Sequence, residues 1–223
     1  MTAVGSRRRA LVVRGGWEGH TPEASTDEFT GFLAESGFEV LVEDSLEVYA
    51  DAEFMESLSL IVQSWTQGDI LHDEFRGLRD AIVSGVGFAG WHGGALDAFR
   101  QTVEYSQMLG GVFTAHPHGM VPYHVTFTED AATHPVAAGL ADFDITSEQY
   151  WVLCDSLSTV LATTDIVPRP GDPWPRPYRA PVAWTRQWGA GRIFITTLGH
   201  GVDDLRHPTL HDLITRGMLW AAR

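Results

Sequence analysis

The sequence predicts an α/β fold: a doubly wound, mostly parallel sheet carrying a C-terminal antiparallel hairpin. Three observations carry this. Short apolar runs closed by glycine or polar residues recur through the first half of the chain, as buried parallel strands read. Segments with apolar residues at i, i+3 and i+4 alternate with them, giving a β-α-β-α order that covers both faces of a sheet. Near the end, two β-like runs flank a glycine turn. With 223 residues, 44% of them hydrophobic, the chain can bury one sizeable core, and a single domain over 1–223 is expected.

The elements follow in order. "ALVVRGG" (Ala10 to Gly16) is the first strand. Thr21-Pro22 reads as an N-cap with proline at the first helical position, Phe29, Phe32 and Leu33 form the apolar stripe, and Gly37 stops the helix. "FEVLVED" is a strand, "DAEFMESL" a short helix, and "LSLIVQSW" (Leu58 to Trp65) a third strand. His72 to Ser84 is a helix with Phe75, Leu78 and Ile82 on one face, and "VGFAGW" is the fourth strand. A helix over Asp97 to Leu109, irregular chain, and an extended "YHVTFT" come next. The proline-dense Pro168 to Pro181 is expected to be loop. "APVAWTRQWGAGRIFITTLGH" is the hairpin, and His207 to Ala222 the closing helix.

Composition narrows the function. The formal net charge of −14 opposes binding to phosphate backbones, so no nucleic-acid partner is expected. No apolar run approaches the ~20 residues of a membrane span, and the basic N-terminus lacks a signal-peptide core, so a cytoplasmic protein with no membrane partner is expected. The lone cysteine, Cys154, fits a reducing compartment and reads as buried and inert. No GxGxxG follows the first strand and no GxxxxGK[ST] occurs, so neither dinucleotide nor P-loop phosphate binding is implied.

Ligands of such sheets bind beyond the carboxyl ends of the strands. Trp17, His20, Gln63, Trp65, Trp91 and His92 stand at those ends. "GFAGWHGG" (Gly87 to Gly94) reads as a strand entering a sharp, glycine-crowded turn before a helix, the form of a nucleophile elbow. Its tip is His92, where amide-cleaving enzymes place Ser or Cys. Imidazole is a poor nucleophile toward an amide, so a glutaminase is disfavoured, and His92 suits a general base, a hydrogen-bond donor or a metal ligand. His20 in "GGWEGH" and His200 in "TTLGHG" each follow a glycine at a strand end. If the hairpin joins the sheet, the three histidines converge, with Glu148 and Tyr150 in "ITSEQYW" as companions. Three histidines and one carboxylate suit zinc or another first-row divalent metal. His116 and His118, two apart, would share one face of an extended chain and could be half of a metal site, but no HExxH or Cys/His spacing backs it. His207 and His211 are spaced i, i+4 on a helix face, but His207 precedes Pro208 and reads as the cap, so no site is expected there. Trp17, Trp65, Trp91 and Trp151 flank these groups and could pack on pyranose C–H faces or belong to the core. Exposed aromatics leave a homo-oligomer open as well.

The turn ending in His20, "GFAGWHGG", "HPVAAGLADFDITSEQYW", "PVAWTRQWGAGRIFITTLGH" and "RGMLWAA" together resemble the trehalose-utilisation, or ThuA-like, family over nearly the whole chain. The resemblance implies a flavodoxin-like fold of the class I glutamine amidotransferase type without the nucleophilic cysteine. It also implies a link to trehalose-like disaccharides, including oxidised 3-keto forms. It carries His20, His92, Glu148 and His200 over as site residues; Ser147 stands where that family often has Asp. The expectation is a small-molecule enzyme using His/Glu acid–base chemistry, metal-assisted or not. The alternative is a non-catalytic sugar- or partner-binding protein.

Overall fold

The computed structural model describes residues 8–223; most of the basic opening segment, read above as no signal peptide, lies outside the described residues. In chain order the elements are β1 (Arg8–Gly16), α1 (Pro22–Glu35), β2 (Phe38–Glu43), α2 (Ala52–Glu56), β3 (Leu60–Thr66), α3 (His72–Ser84), β4 (Gly87–Trp91) and α4 (His92–Leu96). Then come α5 (Val103–Leu109), β5 (Gly111–Ala115), β6 (Met120–Phe127), β7 (Phe143–Glu148), β8 (Trp151–Cys154), β9 (Thr159–Ile166), β10 (Tyr178–Trp188), β11 (Gly191–Thr196), α6 (Val202–Leu205) and α7 (Pro208–Ala221).

Nine strands form one sheet in the order β2-β1-β3-β4-β11-β10-β9-β6-β7. The first five are parallel, and the order of β1 to β4 is that of a flavodoxin-like sheet, with β11 in fifth place. The predicted hairpin is β10–β11, and it lies inside the sheet: β11 pairs with β4, while β9, β6 and β7 continue the antiparallel half. β5 and β8 form a separate ribbon.

Alternation along the strands sorts the core. In β1, Ala10 and Val12 face one side and pack with Phe29 and Leu33 of α1 and with Leu210, Leu213 and Ile214 of α7. Leu11 and Val13 face the other and pack with Phe75, Leu78 and Ile82 of α3 and with Tyr105 and Met108 of α5. This is the doubly wound arrangement the periodicity predicts. Among the described residues no helix is long and apolar enough to cross a membrane.

Three expectations are corrected. The helix expected from Asp97 starts only at Val103, because Ala98 bridges to Gln67 and Phe99 takes a left-handed turn at φ 50°. The proline-rich stretch is loop only as far as Pro177. Tyr178 to Pro181 begin β10, and a register shift after Pro181 accommodates a residue with no N–H to donate. The strand expected at "YHVTFT" begins earlier, at Met120.

The antiparallel half is strongly curled. Counted along the sheet, β7 stands five places from β4, which in a flat sheet would be about 24 Å. Yet the last residue of β7, Glu148, reaches within 3.3 Å of the residue after β4, His92.

Candidate active site

The site lies over the carboxyl edge of the parallel strands, around the switch point between β1 and β3 where the strand order reverses. Four elements supply it. His20 closes a 3-10 turn after β1, His92 opens α4 after β4, Glu148 ends β7, and His200 follows β11.

The elbow is real in its geometry. His92 has φ 46°, a left-handed conformation that a non-glycine residue adopts at a cost of about 1–3 kcal/mol, so the surroundings must hold it there. Gly93 is required by contact: a Cβ there would lie 2.3 Å from Cε1 of His20. Beneath the elbow, the buried Gln63 amide donates to the Gly94 carbonyl and to Tyr105 Oη, and accepts from the Tyr49 hydroxyl. Gln63 therefore braces the turn from below.

His92 is buried. Its Nδ1 donates to the Thr197 carbonyl at 2.8 Å, which fixes the tautomer and leaves Nε2 with a free lone pair. That Nε2 faces the Tyr150 hydroxyl at 2.9 Å, Glu148 Oε2 at 3.3 Å and His200 Nδ1 at 3.3 Å. His200 Nδ1 lies 3.4 Å from the same Glu148 oxygen. His20 pairs through Nδ1 with the Thr66 hydroxyl at 2.9 Å, leaving Nε2 for the cluster. The three imidazole rings stand at 72–81° to one another, with centroids 4.7–5.3 Å apart, so their edges converge. One donor atom from each of His20, His92, Glu148 and His200 falls within 4.8 Å of the others.

Electrostatics divide the cluster. Desolvation, then the neighbouring His92 and His200, push His20 down to about 3. Burial also lowers His92, against the pull of Glu148. Both are neutral near pH 7. His200 is raised by its hydrogen bond to Glu148, against its own burial. Burial works to raise Glu148, but the hydrogen bond from His200 and the closeness of His92 prevail and hold it well below the usual carboxylate range. Burial pushes the Tyr150 phenol far up, so that side chain is a donor and not a base.

The donor set fits a metal ion. Ligands 2.0–2.2 Å from a tetrahedral zinc stand about 3.3–3.5 Å apart. His92 Nε2, His200 Nδ1 and Glu148 Oε2 have mutual separations of 3.3, 3.3 and 3.4 Å. Two neutral imidazoles and an ionised carboxylate are already in ligating form, and the Thr197 carbonyl and Thr66 hydroxyl orient the rings from outside.

The tryptophans separate. Trp17 is half-exposed and sets its ring edge-on to His20 at 4.8 Å, at the mouth of the site. Trp65 lies against Gly15 and the α3-side core. Trp151 stacks on Tyr178 at 4.4 Å and meets Trp174 edge-on. Trp91 is a correction: it is buried against Phe29 in the core and presents no face to a ligand. The pairing of His116 with His118 is also corrected. The chain turns after β5, so His116 Nε2 approaches Glu148 Oε1 at 3.6 Å, while His118 binds Asp172 of the proline-rich loop at 2.9 Å. His116 is a site neighbour that spacing alone did not single out; nothing in the sequence marks its approach to Glu148. Cys154 is half-buried on β8, not fully buried as expected, with burial raising its thiol, and it lies outside the cluster, so the elbow has no thiol nucleophile.

Solved structures share the architecture. A ThuA-like protein from Bacteroides uniformis aligns at 20% identity over 96% of this chain and 91% of its own, with a TM-score of 0.76. Another from Parabacteroides merdae aligns at 17% identity over 96% and 90%, with a TM-score of 0.75. A cytoplasmic protein from Salmonella typhimurium aligns at 13% identity over 96% and 100%, with a TM-score of 0.67. A search of functionally curated proteins returned no match. The family model for ThuA, described as trehalose utilisation, matches residues 9–221, and the chain belongs to that family.

Proposed function

We propose that the chain is a carbohydrate-acting enzyme, a single catalytic domain whose His20, His92, Glu148 and His200 hold a divalent first-row metal, zinc foremost. The substrate class is a trehalose-like disaccharide or its keto-sugar form, the class the family's description points to. The observation that carries the reading is the convergence of four donor atoms within 4.8 Å from segments spread over residues 20 to 200. A buried cluster of that composition costs desolvation energy that packing does not require.

When bound, the metal would supply Lewis-acid polarisation of a sugar oxygen and lower the pKa of a water. The chain's own residues do the rest. Thr197 and Thr66 fix the histidine rings. The Tyr150 hydroxyl, 2.9 Å from His92 Nε2, is a hydrogen-bond donor placed beside the cluster for a substrate oxygen. The outer oxygen of Glu148, toward His116, can hold a proton in transit. Trp17 offers an indole face at the mouth for a pyranose ring. The lone cysteine fits a reducing, cytoplasmic setting for such chemistry.

The test uses protein purified without a His-tag. Metal content is measured before and after zinc reconstitution, and trehalose and its 3-keto derivative are incubated with it and followed by NMR. Stoichiometric metal and turnover abolished by chelation are expected. Failure to retain any transition metal after reconstitution removes the metal. Sugar recovered unaltered, together with a raised melting temperature, assigns a sugar-binding protein instead.

A further inference from the structure

We propose that Asp204 is a positioning residue of the histidine–glutamate cluster, a buried latch that ties the Glu148 strand to the His200 loop. The proposal rests on the metal-site reading above. Asp204 lies in α6, nearly buried, and one oxygen carries both contacts: Oδ2 accepts from the Ser147 hydroxyl at 2.5 Å and from the His200 backbone N–H at 3.1 Å. Ser147 immediately precedes Glu148 at the end of β7. A single carboxylate oxygen thus joins the neighbour of one cluster residue to the backbone of another.

The sheet explains why a latch is needed. Glu148 belongs to the edge strand of the curled antiparallel half, whereas His20, His92 and His200 ride on the parallel half. Only the curl brings Glu148 to them, and an edge strand has a neighbour on one side alone. The inward-facing row of β7 reads Phe143, Ile145, Ser147, all buried. The first two are apolar, as a core row should be. Polarity enters at the one position that meets Asp204. A carboxylate with so little exposure is costly unless hydrogen-bonded, and these two bonds offset that cost.

Asp204 has a local role too, since its bond to the His200 N–H ties α6 back to the residue before its N-cap, Gly201. That role does not involve Ser147. Variation at Ser147 therefore separates a latch from a local tie.

The experiment compares wild type, Ser147→Ala, Asp204→Ala and Asp204→Asn. Zinc affinity is measured by competition with a chromophoric chelator, and the ring resonances of His92 and His200 are recorded by NMR in metal-free protein. Outer-shell losses typically cost 10–100-fold in metal affinity, so Ser147→Ala and Asp204→Ala are expected to weaken zinc by about tenfold or more. Both should also shift the two ring resonances, as Glu148 moves away. Asn keeps an acceptor for the His200 N–H and a donor for Ser147, and Asp204→Asn should stay within about threefold of wild type. If Asp204→Ala does not fold, Ser147→Ala alone decides. Zinc affinity within twofold of wild type and unmoved resonances in Ser147→Ala overturn the latch. If wild type takes up no zinc, the metal reading fails, and the metal-free resonances still decide the latch.

Discussion

His92 Nδ1 and the carbonyl oxygen of Thr197 are hydrogen-bonded at 2.8 Å across 105 positions of sequence. That bond makes the elbow histidine a fixed tautomer with its second nitrogen aimed at the cluster. His92→Ala removes this nitrogen. Loss of a general acid–base or ligating group typically costs about 10²–10⁴-fold in rate. Turnover of the sugar substrate should fall by that order, with the far-ultraviolet circular dichroism unchanged. Full activity in this variant would remove His92 from the chemistry.

Gly93 is the point where two cluster residues touch. Gly93→Ala places a methyl 2.3 Å from Cε1 and 2.5 Å from Nδ1 of His20, so the imidazole must shift and its bond to Thr66 is disturbed. Overpacking of this kind typically costs about 1–3 kcal/mol. The denaturation midpoint should drop accordingly, and zinc titration should show weaker binding. A variant with wild-type zinc affinity would place His20 outside the metal's ligand set.

Trp17 and Trp91 should respond in opposite ways. Trp17 is half-exposed at the mouth, so Trp17→Ala should leave stability within about 0.5 kcal/mol. Losing an aromatic platform worth about 0.5–1.5 kcal/mol should raise KM for the sugar roughly 2–12-fold. Trp91→Ala empties a core position and should cost about 3–5 kcal/mol. Thermal unfolding and steady-state kinetics on the two variants check both statements. Unchanged KM in Trp17→Ala would exclude the indole from the sugar site.

A separate ion pair sets an acid limit on stability. The buried Arg186 guanidinium donates to Asp155 at 2.8 Å. Burial works to raise the Asp155 carboxyl, but the hydrogen bonds from Arg186 and the Leu157 N–H prevail and hold it below its ordinary value. A carboxylate with a lowered folded-state pKa contributes stability above its unfolded value of 3.8. That contribution disappears as pH falls through the folded value. Asp155→Asn leaves Arg186 under-paired and should cost roughly 1–3 kcal/mol at neutral pH. Urea unfolding at pH 7 and pH 3 should show the gap between wild type and variant closing in acid. A gap of equal size at both values would show that the charge is not the source.

The parallel half of the molecule was legible because its signals are local. Val12, Val62 and Ala89 sit in short apolar runs, and glycines mark the turns where those runs end. The elbow was legible for the same reason. The strands β5, β7, β8 and β9 were not, since they are short or alternate one residue in and one out, and such patterns also occur in loops. Glu148 stands out as an acidic companion in "ITSEQYW" and again by its place in a family motif, but no local spacing ties it to the histidines. What brings it to His92 is the curl of the sheet, a property of pairing between distant strands that no window of sequence contains. Trp91 went the other way: its place at a strand end suggested a ligand face, but strand alternation turns it toward Phe29.

The position of β11 as the last strand of the chain, set against its central place between β4 and β10, bears on how the molecule is made. While the ribosome is still translating, β4 has no partner on its outer side, and the antiparallel strands, which pair with one another, have no link to the parallel half. His200 emerges later still. The nascent polypeptide must therefore wait, with an apolar strand edge uncovered, until translation has passed residue 200 before the four segments of the histidine–glutamate cluster can assemble. A chain cut short before Gly191 would carry that open edge permanently, and chaperone binding or aggregation would be its fate.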